Sequence, residues 1–159
     1  MQDSVDARDG DRERLPEEVA RSLLPADMDT EGLVAALHEL VQRARERHGI
    51  ACEMEVEEPL ALHDGAAVPH LYQIAKEALA NAVKHARATR VVVRLRGDED
   101  GLRLEVRDNG KGIGPAPSGG LGLKIMRSRS AHIGATLEAA PADGGGTAVV
   151  CTLNWRNGG

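Results

Sequence analysis

The residues best suited to chemistry begin with Arg107-Asp-Asn-Gly-Lys-Gly-Ile113. Just before them, Leu102, Leu104 and Val106 alternate with Arg103, Glu105 and Arg107, a period of two that predicts a half-buried strand. The strand delivers Asp108 to a backbone stripped of side chains at Gly110 and Gly112. A flat ligand can approach such a main chain closely. A buried carboxylate beside it suits an exocyclic amine such as that of adenine. Asn-Gly is also a common pair in surface turns, so this stretch alone leaves both readings open.

A second constellation lies between Val68 and about Ala86. Leu71, Ile74, Ala75, Ala78, Leu79, Ala82 and Val83 form an apolar stripe at helical spacing. Gln73, Glu77, Asn81, Lys84 and His85 line another face, because positions three and four apart stack on a helix. Most polar helix faces are only solvated. This one sets a carboxylate one turn before an amide, then a cation and an imidazole. Such a set could hold a magnesium ion, which takes hard oxygen ligands from few side chains and leaves the rest to water and phosphate. A third stretch, Gly119-Gly-Leu-Gly-Leu123, opens a helix with Leu123, Ile125, Met126 and Ile133 as its apolar positions. Glycines at a helix start present free N–H groups to an anion.

The remaining elements must position these three. Residues 1–14 are polar and charge-rich, and are expected to be disordered. Leu15, Val19 and Leu23 predict a short helix, broken at Leu24-Pro25. Asp29 or Thr30 can cap a helix running to about His48, with Leu33, Val34, Leu37, Leu40, Val41 and Ala44 as one stripe and Gly49 as its C-cap. Residues 50–57 alternate apolar with acidic side chains, as in a strand with one wet face. A loop from Glu58 to Pro69 precedes the Val68 helix. Strands are expected at 90–96, 102–107, 135–140 and 147–153, with the Gly97–Gly101 hairpin joining the first two.

At 159 residues the chain fits one domain with extensions. Phe is absent and aromatics are 1%, so the core must be Leu, Val, Ile and Ala. A net charge of −5 argues against a nucleic-acid surface. Cys52 and Cys151 are too few for a disulfide framework or a zinc site and read as reduced core thiols. The chain shows no apolar run long enough to span a membrane and no signal-peptide core, so a cytoplasmic location is expected.

Taken together, the three stretches resemble the GHKL, or Bergerat-fold, ATP-binding family shared by gyrases, mismatch-repair ATPases and histidine kinases. Glu77-Ala-Leu-Ala-Asn81-Ala-Val-Lys-His85-Ala resembles its N-box, Asp108-Asn-Gly110-Lys-Gly112-Ile its first glycine box, and Gly120-Leu-Gly122-Leu its second. Gly146-Thr147 resembles its late Gly-Thr pair. The resemblance spans about residues 50–155. Only seven residues separate Gly112 from Gly120, so any ATP lid is short. That shortness, with Gly-Leu-Gly-Leu-Lys-Ile-Met-Arg, resembles sensor histidine kinases paired with helix-turn-helix response regulators.

The resemblance implies an α+β fold, a two-layer sandwich with a mixed, mainly antiparallel sheet on helices. It implies that Asp108 accepts from the adenine amine, that Gly110 and Gly112 run beside the base, and that Thr147 supports that pocket. Asn81 would ligate Mg2+, and Glu77 would orient a metal-bound water or act as a base. Lys84, His85 and the backbone of Gly120, Leu121, Gly122 and Leu123 would meet the ATP phosphates. Residues 15–48 resemble the end of a dimerisation region, and 49–156 the ATP-binding domain. A dimerisation domain would supply the phosphoacceptor histidine, with a response regulator downstream. His38-Glu39 is the nearest imitation of an acceptor here, but it falls where the family continues toward its ATPase domain. We read it, with His48, His63, His70 and His132, as ordinary. Two alternatives are a stand-alone anti-sigma-factor serine kinase and a nucleotide-responsive binding module without catalysis.

Overall fold

The computed structural model describes residues 29–57, 60, 65–112 and 120–154. The expected disorder of residues 1–14, the short helix at 15–24, most of the loop after Glu57, His63 and the linker at 114–118 lie outside these residues.

Helix α1 (Thr30–His48) starts where its cap dictates: the Asp29 carboxylate accepts from the Gly32 N–H at 3.0 Å. It ends at Gly49, whose φ of 64° suits a residue without a Cβ. Strand β1 (Ala51–Glu57) follows, then α2 (Ala67–Lys84), β2 (Arg90–Gly97), β3 (Gly101–Asp108), α3 (Gly120–His132), β4 (Thr136–Pro141) and β5 (Thr147–Asn154). The five strands make one sheet in the order β1-β2-β3-β5-β4. β1 and β2 run parallel, and the other neighbours are antiparallel. The parallel pair needs a crossover, which α2 supplies. The sheet is therefore mixed and mainly antiparallel, as expected.

Pleat alternation gives the sheet two unlike faces. Val91, Val93 and Leu95 of β2, Leu102, Leu104 and Val106 of β3, and Cys151 and Leu153 of β5 are buried together. Against them pack Leu33 and Leu37 of α1, Leu71 and Ile74 of α2, and Met126 of α3, in one continuous core. Tyr72 is buried there too, its hydroxyl accepting from Arg43 of α1 at 3.0 Å. A second arginine of α1, Arg45, donates to the Cys52 carbonyl at 2.6 Å.

The opposite face carries charge. Arg90 pairs with Glu53 at 2.9 Å and Arg94 with Glu55 at 2.8 Å. Glu105, almost buried, sits among Arg94, Arg103 and Arg107.

Helix α3 differs from its expected stripe. Its buried residues are Met126 and Ser130, one turn apart, while Ile125 faces outward and Leu123 and Ile133 are half-buried. A stripe drawn from apolarity alone misses Ser130, whose hydroxyl is satisfied locally by the Arg127 carbonyl at 3.0 Å.

Candidate functional site

Asp108 is the last residue of β3, paired with Val91 on one side and Thr147 on the other. It lies on the helix-covered face and is only 8% exposed. One of its oxygens, Oδ1, accepts from the Gly110 N–H at 2.8 Å. That bond ties the carboxylate to the main chain two residues on. Gly112 adopts φ 86° and Gly146 φ 90°, conformations that cost most side chains. A Cβ on Gly146 would collide with the Asp108 carbonyl, and one on Gly112 would lie 3.4 Å from the Gly146 carbonyl oxygen. The two glycine-containing loops thus run side by side around the end of β3, with Thr147 beside Asp108.

The second wall comes from α2 and the start of α3. Glu77 and Asn81 lie one turn apart and are half-buried. A Cβ on Gly122 would sit 2.7 Å from Glu77 Oε2 and 2.9 Å from both Asn81 Oδ1 and Nδ2. The first turn of α3 therefore rests directly on these two side chains. Gly120 enters the helix at φ 81°, Leu121 is 73% exposed and Leu123 packs partly into the core. Lys84 and His85 lie beyond Asn81 at the end of α2, both exposed, and the His85 N–H donates to the Asn81 carbonyl at 3.0 Å.

The two walls are joined by a residue that sequence reading missed. Ala86 donates its N–H to the Asn81 carbonyl at 3.1 Å and accepts from the Lys111 N–H at 3.0 Å. Gly110 packs so tightly here that its Cβ would lie 2.5 Å from both the Ala86 Cβ and carbonyl oxygen. No residue pattern in the sequence points to this contact, because it rests on the Ala86 main chain and on the missing side chain of Gly110, whose φ is not positive. Asn109 is also tied to this loop, through Thr89 and Arg90.

Glu77 and Asn81 fit a magnesium site in kind, offering oxygen donors from few side chains. Among the described residues, no group of three or more His, Cys, Asp or Glu could form a larger metal cage. His38 and His48 are exposed on α1. His70 lies near the start of α2, two turns before Glu77, and stacks on His132 with ring centroids 4.8 Å apart. Both cysteines are free and buried. A cavity of about 340 Å³ also opens near the end of β3, lined by Arg90, Arg94, Glu105 and Arg107 of the charged face together with Asp108 and Asn109, and it includes none of Glu77, Asn81 or Gly122. The wall made by Glu77, Asn81 and Gly122 lies on the helix-covered side of the sheet.

Residues 66–157 match the family model described as histidine kinase-, DNA gyrase B-, and HSP90-like ATPase. The chain is 37% identical over 129 residues to the nitrate/nitrite sensor protein NarQ of Escherichia coli, covering 79% of this chain and 23% of that protein. It is 33% identical over 129 residues to the sensor histidine kinase LiaS of Bacillus subtilis, covering 80% of this chain and 35% of LiaS. The chain thus spans about a quarter to a third of these curated relatives. Among solved structures, the histidine kinase domain of a blue-light activated kinase from Erythrobacter litoralis superposes with a TM-score of 0.60 at 28% identity, over 76% of this chain and 60% of that one. Among the described residues no helix is long and apolar enough to cross a membrane. By sequence, by fold and by the grouping of its glycines around Asp108, Glu77 and Asn81, this chain belongs to the family of histidine kinase-, DNA gyrase B- and HSP90-like ATPases.

Proposed function

We propose that this chain is the catalytic ATP-binding part of a cytoplasmic two-component sensor kinase. It would donate the γ-phosphate of Mg-ATP to a histidine on a dimerisation domain, with a response regulator receiving it afterwards. The observation that carries this reading is the seating of the α3 N-terminus on Glu77 and Asn81. The first turn of this 13-residue helix lies against the side chains suited to a magnesium ion, and a helix N-terminus favours a nearby anion such as phosphate. Phosphoryl transfer is mostly positioning and charge stabilisation, and a helix start beside a carboxylate and an amide supports that reading.

Asp108 would accept from the adenine amine through the oxygen not used by Gly110, with Gly112 and Thr147 flanking the base. Asn81 would hold the metal, which neutralises phosphate charge when bound. Glu77 would orient a water or accept a proton from the acceptor. Lys84, His85 and the main chain from Gly120 to Leu123 would meet the phosphates. We place the start of this ATP-binding unit at Thr30 rather than residue 49, because the apolar stripe of α1 packs into the same core as the sheet.

Titration calorimetry with Mg-ATP tests the nucleotide reading. Asp108→Ala should weaken binding about tenfold to a hundredfold, the cost of losing a buried charge-assisted hydrogen bond. Affinity equal to the parent's removes Asp108 from the adenine pocket. Labelled ATP then tests the transfer. Acid-labile, alkali-stable label should appear on an added dimerisation domain and not on this chain alone. Label lost in His38→Ala would make His38 the acceptor, and acid-stable label on a serine would favour the serine-kinase alternative.

A further inference from the structure

Asn109 looks like an ordinary loop residue, exposed and in an Asn-Gly turn pair. Its side chain nevertheless makes three hydrogen bonds. Oδ1 accepts from the Thr89 N–H and the Arg90 N–H, both at 2.9 Å, and Nδ2 donates to Thr89 Oγ1 at 3.0 Å. Its own N–H donates to the Arg90 carbonyl at 3.2 Å. Two residues on, Lys111 donates to Ala86, and Gly110 packs against the same residue. Residues 109–111 are therefore zipped along residues 86–90.

The strip they are zipped to is itself fixed to the end of α2. Ala86 donates to the Asn81 carbonyl and Ala88 to the Ala82 carbonyl at 2.9 Å. Between them Arg87 takes φ 54°, a conformation uncommon for a residue with a side chain. The loop after α2 is thus held in a specific shape, and that shape presents the Thr89 and Arg90 N–H groups to Asn109. A two-donor site of this kind asks for an acceptor with two lone pairs on one oxygen, which an amide or carboxylate offers.

We infer that Asn109 is a positioning residue. It locks the Asp108–Gly112 loop to the end of α2, and so sets the distance between the carboxylate proposed for adenine and the Asn81, Lys84 and His85 group proposed for metal and phosphate. The inference rests on the proposed nucleotide reading. Asn109 itself need not touch the ligand. Without its side chain, Asp108 stays on β3 and still holds the Gly110 N–H, but the loop loses the side-chain bonds that tie it to Thr89 and Arg90. Nucleotide binding must then order that loop.

The test uses the full chain, Mg-ADP and adenosine, with calorimetry and thermal melts. Asn109→Ala should bind both ligands about tenfold more weakly, because two or three hydrogen bonds must be replaced on binding. Asn109→Asp keeps the oxygen acceptor for both N–H groups and should bind within about threefold of the parent. If the parent binds and a folded Asn109→Ala binds equally, or if Asn109→Asp is as weak as Asn109→Ala, the inference fails alone. A parent that binds no adenine ligand overturns the nucleotide reading, and this inference with it. Amide hydrogen exchange on the parent decides the matter even where Asn109→Ala does not fold. Mg-ADP should slow exchange at Thr89 and Arg90, because ligand and clamp favour the same loop state. A merely structural tether would exchange alike with and without ligand, and that result overturns the inference.

Discussion

Gly122 sits so close to Glu77 that a Cβ added to it would lie 2.7 Å from the carboxylate oxygen Oε2. The atoms it would meet, in Glu77 and Asn81, are the far ends of side chains that can rotate away. The same addition at Gly110 meets the Ala86 main chain, and at Gly146 the Asp108 main chain, neither of which can move cheaply.

This difference sets the first prediction. Gly122→Ala should leave the melting temperature equal or slightly higher, since Ala favours a helix over Gly by about 1 kcal/mol. It should still weaken Mg-ATP binding by about tenfold or more, a loss of about 1.4 kcal/mol, by displacing Glu77 and Asn81. Gly110→Ala and Gly146→Ala should lose stability and binding together. Melts and calorimetry on the three variants check it. Unchanged Mg-ATP affinity in Gly122→Ala would separate the α3 N-terminus from the site.

A second prediction concerns α1. Leu33 and Leu37 are fully buried in the core shared with α2 and the sheet, and Arg43 and Arg45 add bonds to Tyr72 and Cys52. Leu37→Ala should cost about 2–5 kcal/mol, the range for a buried leucine that leaves a cavity. A domain of this size has only about 5–15 kcal/mol in total, so a chain beginning at Ala51 should not fold cooperatively. A sharp melt from that truncated chain would return α1 to the dimerisation side of the boundary.

The elements that sequence read well are those whose signal is local. Asp29 and Gly49 mark both ends of α1 by cap chemistry, and the Leu102–Arg107 alternation marks β3. The site's three stretches were legible because each function needs a residue type at a spacing: a carboxylate before glycines, or a carboxylate and an amide one turn apart. Their closure on one another was not legible. It depends on Ala86, whose backbone rather than its side chain does the bonding, and on Asn109, whose partners lie 19 and 20 residues away. Neither dependence leaves a pattern in a single sequence. Ile125 shows the opposite failure: an apolar residue at plausible spacing that tertiary packing turned outward.

The thiols give a third prediction. Cys52 and Cys151 are buried on β1 and β5 with two strands between them, and at about 4.8 Å per step the three steps alone separate them by at least about 14 Å. That span is too great for a disulfide. Burial pushes the Cys151 thiol up to about 12, and burial likewise raises Cys52. A thiolate-selective reagent near neutral pH should label neither residue rapidly in the folded chain and both in denaturant. Fast labelling of Cys151 without denaturant would mean that β4 and β5 open locally.

The last prediction is a pH dependence set by His70. Arg129 Nη1 lies 3.4 Å from His70 Nδ1, and an arginine can only donate, so that nitrogen must be the acceptor of a neutral ring. The ring of His132 stacks on the other side, 4.8 Å between centroids. Burial first, then the charges of His132 and Arg129, push His70 below its ordinary 6.5. The folded state therefore resists a proton that the unfolded chain accepts. The contribution is complete above about pH 6.5 and is lost as the pH falls from there through the lowered value in the fold. His70 joins the start of α2 to the end of α3, so its protonation loosens the two helices whose other ends carry Glu77, Asn81 and Gly122. Melting temperatures should fall as the pH drops below about 6.5, and His70→Gln, which cannot take up the proton, should flatten part of that fall. An equally steep acid-side slope in His70→Gln would assign the titration to another group.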